Sequence, residues 1–393
     1  MQDFARRLLL LVLIGALTAG WLAARPASPQ RILASLEAIP CTAFVSNAPE
    51  TLVPSGEAQM PEKQAPATGL FELAAEAMPA PYSLRWRIGV GIPDGNPYVF
   101  DWMSPRPGWY LNWFTNPFTA PGTQAAALGM EFSPMLRLRA DGLQPNLATI
   151  YRQAQARPGM VWLVGNEPDV RWQDDATPEE YACQYYRAWH AIKLADPSAQ
   201  VAIGGISQVT PLRLRYLDAV LASYQEQFGA PMAVDVWNIH AFVLREQAGE
   251  WGVDLPPGFE GATDGVLWDV EDHDDLGLVE EQVRRMRGWM AERGERDKPL
   301  YITEYGILMP AEAGFTPSRV INFMVGSFDL LDSLTDEDLG YPQDENRLVQ
   351  RWVWFSTRYY LYPAGDLFTT EGTPLPPLRA LSGYIRAHSQ STK

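Results

Sequence analysis

Apolar runs alternate with helical stripes from residue 83 to the end of the chain. Short runs rich in Val, Ile, Leu and Trp lie at 84–92, 108–113, 130–138, 160–165, 200–206, 234–242, 300–304 and 348–356. A continuous apolar run closed by turn residues predicts a strand buried on both faces, as in a parallel sheet. The plainest is Val161-Trp162-Leu163-Val164, which runs into Gly165-Asn166-Glu167-Pro168 and leaves Glu167 at its carboxyl end. Leu300-Tyr301-Ile302-Thr303-Glu304 repeats that design, again closing on a lone glutamate. Between the runs, apolar residues recur at helical spacing. Tyr181, Tyr185, Ala188, Trp189 and Ile192 follow Thr177-Pro178-Glu179-Glu180, a capping box with proline at the first helical position. Val279, Val283, Met286, Trp289 and Met290 mark another helix ending near Gly294, and Leu378, Leu381 and Ile385 a last one.

Strands that alternate with helices predict parallel βαβ units, and eight strands over residues 83–393 fit an α/β fold of the (β/α)8 TIM-barrel type. An open doubly wound sheet is the competing architecture. Gly89-Val90-Gly91 after the first run lacks the third glycine of a dinucleotide turn, which counts against it. One connection is far too long. Residues 244–278 are loop-like and acidic, and contain Trp251 and Trp268. Such a loop is usually functional, and its place after the sixth strand puts it at the carboxyl face. It is expected to cover one side of a cleft, with Trp251 or Trp268 near substrate.

The chain before residue 83 has a different character. Arg6 and Arg7 precede an uncharged, leucine- and alanine-rich stretch at 8–24, the layout of an export signal. No sharp cleavage site stands out, so residues 1–24 are read as a signal peptide or a retained N-terminal anchor holding the protein at a membrane through 8–24. Either way the rest is exported, to the cell surface or beyond. Residues 25–82 are rich in Pro, Ala and Glu and predict an irregular linker or wrapping arm. Two cysteines, Cys41 and Cys183, could pair in an exported chain. Because Cys41 precedes the folded body and Cys183 lies on a predicted helix, two separate thiols are expected.

The 393 residues are 47% hydrophobic, enough for a sizeable core, and carry a formal net charge of −16. That charge argues against nucleic acid and anionic lipid as partners and fits a neutral substrate. In a barrel, Glu167 ends strand four and Glu304 ends strand seven, so both rim one mouth. Two carboxylates facing each other are the minimal machinery for glycoside hydrolysis: one donates a proton to the leaving oxygen, the other attacks the anomeric carbon.

With Gly165-Asn166-Glu167-Pro168 on strand four and Ile302-Thr303-Glu304-Tyr305 on strand seven, the chain resembles the clan A retaining glycoside hydrolases. The resemblance implies that Glu167 is the acid/base, Glu304 the nucleophile, and that Asn166 binds the sugar 2-hydroxyl. It also implies that His240 lies beside the nucleophile and that Trp354 on strand eight stacks under the reacting sugar. The clan's arginine near the nucleophile has no certain match; Arg137 is a weak candidate. No cofactor and no metal are implied, and the partner is a β-linked oligo- or polysaccharide.

Blander readings stand beside these. A strand-end glutamate is often a solvated turn residue, His240 could be a structural hydrogen-bonder and Trp354 ordinary core. Trp113 is carried as a candidate sugar contact, although Trp113, Trp172 and Trp268 could equally be packing or loop anchors. Asp272, His273, Asp274 and Asp275 have a metal-site look but lack the Asp/Asn-Gly pattern of a calcium loop. His190 is expected to be scaffold. Two other functions compete with the glycosidase: a catalytically inactive barrel that binds carbohydrate, and a metal-dependent barrel hydrolase using His240 and the acidic loop.

Overall fold

The computed structural model describes residues 28–41, 71, 73–118, 128–139 and 142–389. The expected targeting segment at 1–24 lies outside them. Among the described residues no helix is long and apolar enough to cross a membrane. The chain divides into two compact units, 1–40 and 41–393. In the first unit, the stretch expected to be irregular holds helix α1 (Pro29–Glu37). Pro29 occupies its first turn, where no amide hydrogen is needed, and Ile32, Leu33 and Leu36 recur at helical spacing.

The second unit carries the strand–helix alternation. Its first expected strand is divided. The Ser83 hydroxyl accepts from the Trp86 amide and caps a helical turn, α2 (Leu84–Arg87), so that only β1 (Ile88–Gly91) is extended. There follow β2 (Trp109–Leu111), β3 (Glu131–Phe132), β4 (Met135–Arg139), β5 (Gly142–Gln144), α3 (Leu147–Ala156) and β6 (Val161–Asn166). The remainder runs α4 (Pro178–Ala195), β7 (Gln200–Gly205), α5 (Pro211–Phe228), β8 (Trp237–His240), α6 (Leu276–Glu292), β9 (Leu300–Gly306), α7 (Pro317–Ser333), β10 (Arg351–Phe355) and α8 (Pro376–Ser389). Helices α4, α5 and α7 begin alike. A threonine (Thr177, Thr210 or Thr316) accepts from a backbone amide of the first turn and a proline follows it. At α4 the full capping box forms, with Glu180 reaching back to the Thr177 amide.

Strands pair in the orders β3-β2-β1-β10-β9-β8 and β5-β4-β6-β7, all parallel except the β4–β5 hairpin. β3 and β4 are one run interrupted at Ser133-Pro134; the Ser133 amide donates to Tyr110 O and the Leu163 amide to Pro134 O. That run therefore has a neighbour in each sheet. Across the other gap, isolated parallel bridges join Ala202 to Val236 and Ile206 to Ile239. The result is a mixed α/β fold on parallel sheets, consistent with a TIM barrel. Trp109, Leu111, Met135, Leu163, Ala202, Tyr301 and Val353 meet as one buried cluster, with Trp113 packed against it.

Cys41 and Cys183 are not separate thiols. They form a disulfide that joins the start of this unit to α4, with a Cα–Cα distance of 5.6 Å. Sequence position misled because Cys41 comes long before the first strand, yet the chain brings it back to the α4 surface. Closing a loop of 142 residues restricts the unfolded chain. Replacing Cys41 with serine should therefore cost about 2–4 kcal/mol in urea denaturation of the oxidised protein. Reductant should lower the wild-type midpoint and leave that of the variant unchanged.

Candidate active site

Strand β6 delivers Glu167 through a turn that strains its own backbone. Glu167 has φ +45°, a left-handed conformation uncommon for a residue with a side chain. Surrounding bonds hold it there. Its amide donates to Gly205 O at 3.0 Å, its carbonyl accepts from the Val170 amide at 3.0 Å, and the preceding Asn166 amide donates to the buried Asp174 carboxylate at 2.8 Å. Asp174 also accepts from the Leu138 amide and pairs with Arg137 and Arg139, clamping the ends of β4 and β6 together. Asp169, two residues beyond Glu167, accepts from Ser207 and from Arg213. The buried Arg213 guanidinium reaches onward to Glu246 at 2.8 Å and to the Asp254 carbonyl. One cation thereby ties the acidic turn to the long loop.

Strand β9 delivers Glu304. Register against both neighbours, β8 and β10, shifts around this residue, and such an irregularity re-aims a side chain toward a site. His240, at the end of β8, stands between the two glutamates. Its Nδ1 lies 2.8 Å from Glu167 Oε1 and its Nε2 lies 3.6 Å from Glu304 Oε1. The ring fits because residue 205 is glycine; a Cβ there would sit 2.4 Å from His240 Cδ2. Trp113 Nε1 donates to Glu304 Oε1 at 2.7 Å, and its ring occupies the space that a Cβ on Gly91 would take. One donor atom from each of Glu167, His240 and Glu304 lies within 4.8 Å of the others.

Burial dominates the titration of Glu304 and pushes its carboxyl up to about 7, with repulsion from Glu167 adding to it. The charge of His240, the Trp113 N–H and the charge of Arg137 act in the opposite direction. Burial alone would lower the His240 pKa, but the Glu304 and Glu167 carboxylates outweigh it and the net shift is upward. The raised carboxyl thus falls on the residue to which the resemblance gives the nucleophile's role. Three acidic or basic groups packed this closely share protons, and their titration steps belong to the cluster.

Of the sequence-predicted residues, Glu167, His240, Glu304 and Trp113 come together here. Asn166 is adjacent; its Nδ2 donates to Gln173, while its buried Oδ1 has no partner among the described residues, leaving an acceptor for a ligand hydroxyl. Trp354 does not reach the site, a correction to its expected place under a sugar. It is fully buried, donates to Gly365 O and packs against Tyr305 and Phe323. Successive residues of a strand face opposite sides, and the neighbour Phe355 faces the mouth instead, edge-on to Trp113 and next to Phe242 and Tyr359. Arg137 pairs with Asp174 rather than with Glu304, to which it contributes charge alone.

The acidic loop residues are structurally spent. His273 accepts from the Leu308 amide through Nε2 and bonds Val243 O through Nδ1, and burial lowers its pKa to about 4. Asp274 pairs with Arg319, Asp275 caps α6, and Asp272 accepts from the Asp269 amide. His190 bonds Tyr186 O within α4. Among the described residues, the donor set able to hold a cation is Glu167, His240 and Glu304. A pocket of about 280 Å³ opens beside Glu167, lined by Trp172, Gln173, Trp251 and Tyr362 among others. A larger hollow of about 390 Å³ lies around Asp274, Arg319 and Phe323 and holds none of these groups.

No protein-family model matches the chain, and no curated protein matches it. Solved structures do. A GH128 (subgroup II) endo-β-1,3-glucanase from Sorangium cellulosum is 19% identical with TM-score 0.51, and the match covers 77% of this chain and 98% of that one. The corresponding enzyme from Pseudomonas viridiflava is 18% identical with TM-score 0.53, covering 76% of this chain and 96% of that one. At this identity the likeness is one of fold.

The Arg213 tie makes a stability prediction. Arg213→Ala leaves Asp169 and Glu246 buried without their cation, which should cost about 3–5 kcal/mol in urea denaturation. A loss below 1 kcal/mol would mean that the guanidinium does not hold the loop.

Proposed function

We propose that the chain is an exported retaining glycoside hydrolase that cleaves a β-linked glycan by double displacement, in a closed (β/α)8 barrel. The observation that carries the reading is the pair of strand-end glutamates with carboxyl oxygens within 4.8 Å, bridged by one histidine. Retaining enzymes hold their carboxyl groups about 5–5.5 Å apart, whereas inverting ones need roughly 6.5–9.5 Å to admit a water. The fold neighbours that act on β-1,3-glucan make that polymer the first substrate to try. Arg6 and Arg7 ahead of the apolar run support export, and a disulfide suits an oxidising compartment.

Roles follow from the shared proton. One proton is shared by the carboxyl pair, with His240 Nδ1 2.8 Å from Glu167 Oε1 and Nε2 3.6 Å from Glu304 Oε1. The reactive form has an ionised Glu304 and a protonated Glu167. Glu304 then attacks the anomeric carbon as Glu167 protonates the departing oxygen, giving a glycosyl ester on Glu304. Water enters, Glu167 takes its proton, and the new C–O bond displaces Glu304. Trp113 holds Glu304 Oε1 in position and favours its charged form throughout. Asn166 Oδ1 accepts a sugar hydroxyl. Because Glu167, His240 and Glu304 could also bind a divalent ion, a metal-dependent hydrolase is the second reading. Turnover that survives EDTA removes it.

Glu304→Ala should abolish release of sugar from β-glucan, because the glycosyl ester cannot form. Glu167→Ala should slow substrates with poor leaving groups far more than activated aryl glycosides, and azide should partly restore it. Retention at the anomeric carbon, followed by NMR, separates this route from inversion. A Glu304→Ala protein of normal activity would overturn the assignment, and a wild-type protein that binds glycan but never turns it over would favour the inactive barrel.

The pH profile tests the cluster. Glu167 needs the pair's shared proton in order to donate it, so kcat/KM should hold as pH rises to about 7 and fall above it as that proton is lost. His240→Gln removes a charge that favours ionised Glu304, and this alkaline limb should move to higher pH. Movement to lower pH would deny His240 that electrostatic role.

A further inference from the structure

Two strands lack the helix that backs most of the others. Among the described residues, β1 leads only into a turn of 3-10 helix at Pro97–Val99, and no α-helix stands between β1 and β3. The stretch expected to be a wrapping arm lies against those two connections. The Phe71 amide donates to Tyr98 O at 3.1 Å. Ala74 O accepts from Arg106 Nη2 at 2.7 Å, and Ala77 O from Arg85 Nη1 at 2.6 Å. Glu76 sits between the two guanidiniums, 3.4 Å from Arg106 and 3.5 Å from Arg85, and accepts from the Arg106 amide as well. The fit is close. A Cβ on Gly129 would lie 2.4 Å from Glu76 O.

These contacts end on the loop that presents Trp113. Arg106 Nη1 and Arg85 Nη2 donate to Leu128 O and Gly129 O, where that loop returns to β3. On its outgoing side, Asn112 Nδ2 donates to Gly95 O at 3.3 Å and Asn112 Oδ1 accepts from the Phe114 amide. Gly95 opens the turn that Phe71 holds at Tyr98, and Asn96 caps that turn by accepting from the Tyr98 amide. Between these anchors Trp113 has φ +58°, a conformation that a bulky residue keeps only where its surroundings impose it. Its N–H bond to Glu304 Oε1 therefore depends on fixed points to which the arm contributes. Burial lowers the pKa of Arg85 and of Arg106, and the Glu76 charge opposes that in both. Without Glu76 two desolvated cations would face each other and loosen the clamp.

We propose that the arm, residues 71 and 73–82, is a brace for the active site, and that Phe71 and Glu76 are positioning residues holding Trp113 on Glu304. The contact between Trp113 and Glu304 stands on the geometry alone; what its loss does to turnover rests on the hydrolase reading. A donor aimed at one carboxylate oxygen needs a fixed shell behind it. Where the helix layer is missing, the arm supplies that shell with backbone carbonyls and one carboxylate.

The test uses the full chain labelled with 5-fluorotryptophan, with the Trp113 line in the fluorine NMR spectrum assigned by its loss in Trp113→Phe. Phe71→Ala and Glu76→Ala should move or broaden that line and leave those of Trp162, Trp237 and Trp289 in place. Glu304→Gln changes the acceptor, and should move the Trp113 line further in the wild-type background than in Glu76→Ala. On a β-1,3-linked glucose hexamer both arm variants should lose about threefold to tenfold in kcat, the worth of one weakened hydrogen bond, with KM little changed. The alkaline limb of kcat/KM should move to higher pH, because the Trp113 N–H favours ionised Glu304. Glu76→Gln still accepts from the Arg106 amide and should lose less, and Met78→Ala, 56% exposed on the arm, should lose nothing. An unmoved Trp113 line in both alanine variants overturns the proposal. So does a line that moves only together with those of Trp162, Trp237 and Trp289, which would make the arm a general support of the fold. Failure of the hydrolase reading looks different: the wild type leaves the hexamer uncut, while the fluorine lines still report whether the arm holds Trp113.

Discussion

Two carboxylates share one buried space, and that constraint orders the rest of the site. Glu167 and Glu304 repel each other, and burial removes the water that would screen them. What offsets this is specific: a histidine between them, an indole N–H on one oxygen, and an arginine nearby. Each compensating group then needs room. His240 needs glycine at 205, and Trp113 needs glycine at 91. Glycine at these two strand positions is therefore a consequence of where two rings must lie. Gly91, the second glycine of the Gly89-Val90-Gly91 run, makes room for Trp113.

The same logic extends outward from Glu167. A side chain on a left-handed backbone stays put only if its surroundings over-determine it. Asp174 fixes the residue before it, Gly205 and Val170 bond Glu167 itself, and Asp169 anchors the residues after it. Arg213 converts that anchor into a link with the long loop, through Glu246 and Asp254. A buried cation between two buried carboxylates is weak evidence of net stability, but removing one member is costly. Such a network fixes positions. Here it sets the height of the loop, and with it Trp251, relative to the turn that carries Glu167.

Much of this was legible in order along the chain. Continuous apolar runs marked all eight strand regions because buried parallel strands leave no polar face to confuse the signal. The Thr177-Pro178 pair marked the start of α4 because capping is local chemistry. The positions of Glu167 and Glu304 at strand ends followed from the turn residues after them, whereas His240 was implied only by the family resemblance. Local sequence also exposed the length of the 244–278 loop and the indole at its tip.

Tertiary structure decided what depends on partners distant in sequence or on a one-residue choice of face. Trp354 and Phe355 are equally aromatic, and only the pleat of β10 in its sheet sends one into the core and the other to the mouth. The shift of register around Glu304 leaves no mark in composition. Asp169 directly follows Pro168 in the sequence, but its partners Ser207 and Arg213 lie 38 and 44 residues away. Cys41 and Cys183 are 142 residues apart, and no local rule could pair them. The raised carboxyl of Glu304 belongs to the same class, since burial and the approach of Glu167 exist only once the strands assemble. Sequence determined which residues end the strands; packing decided which of them meet, and in what state of charge.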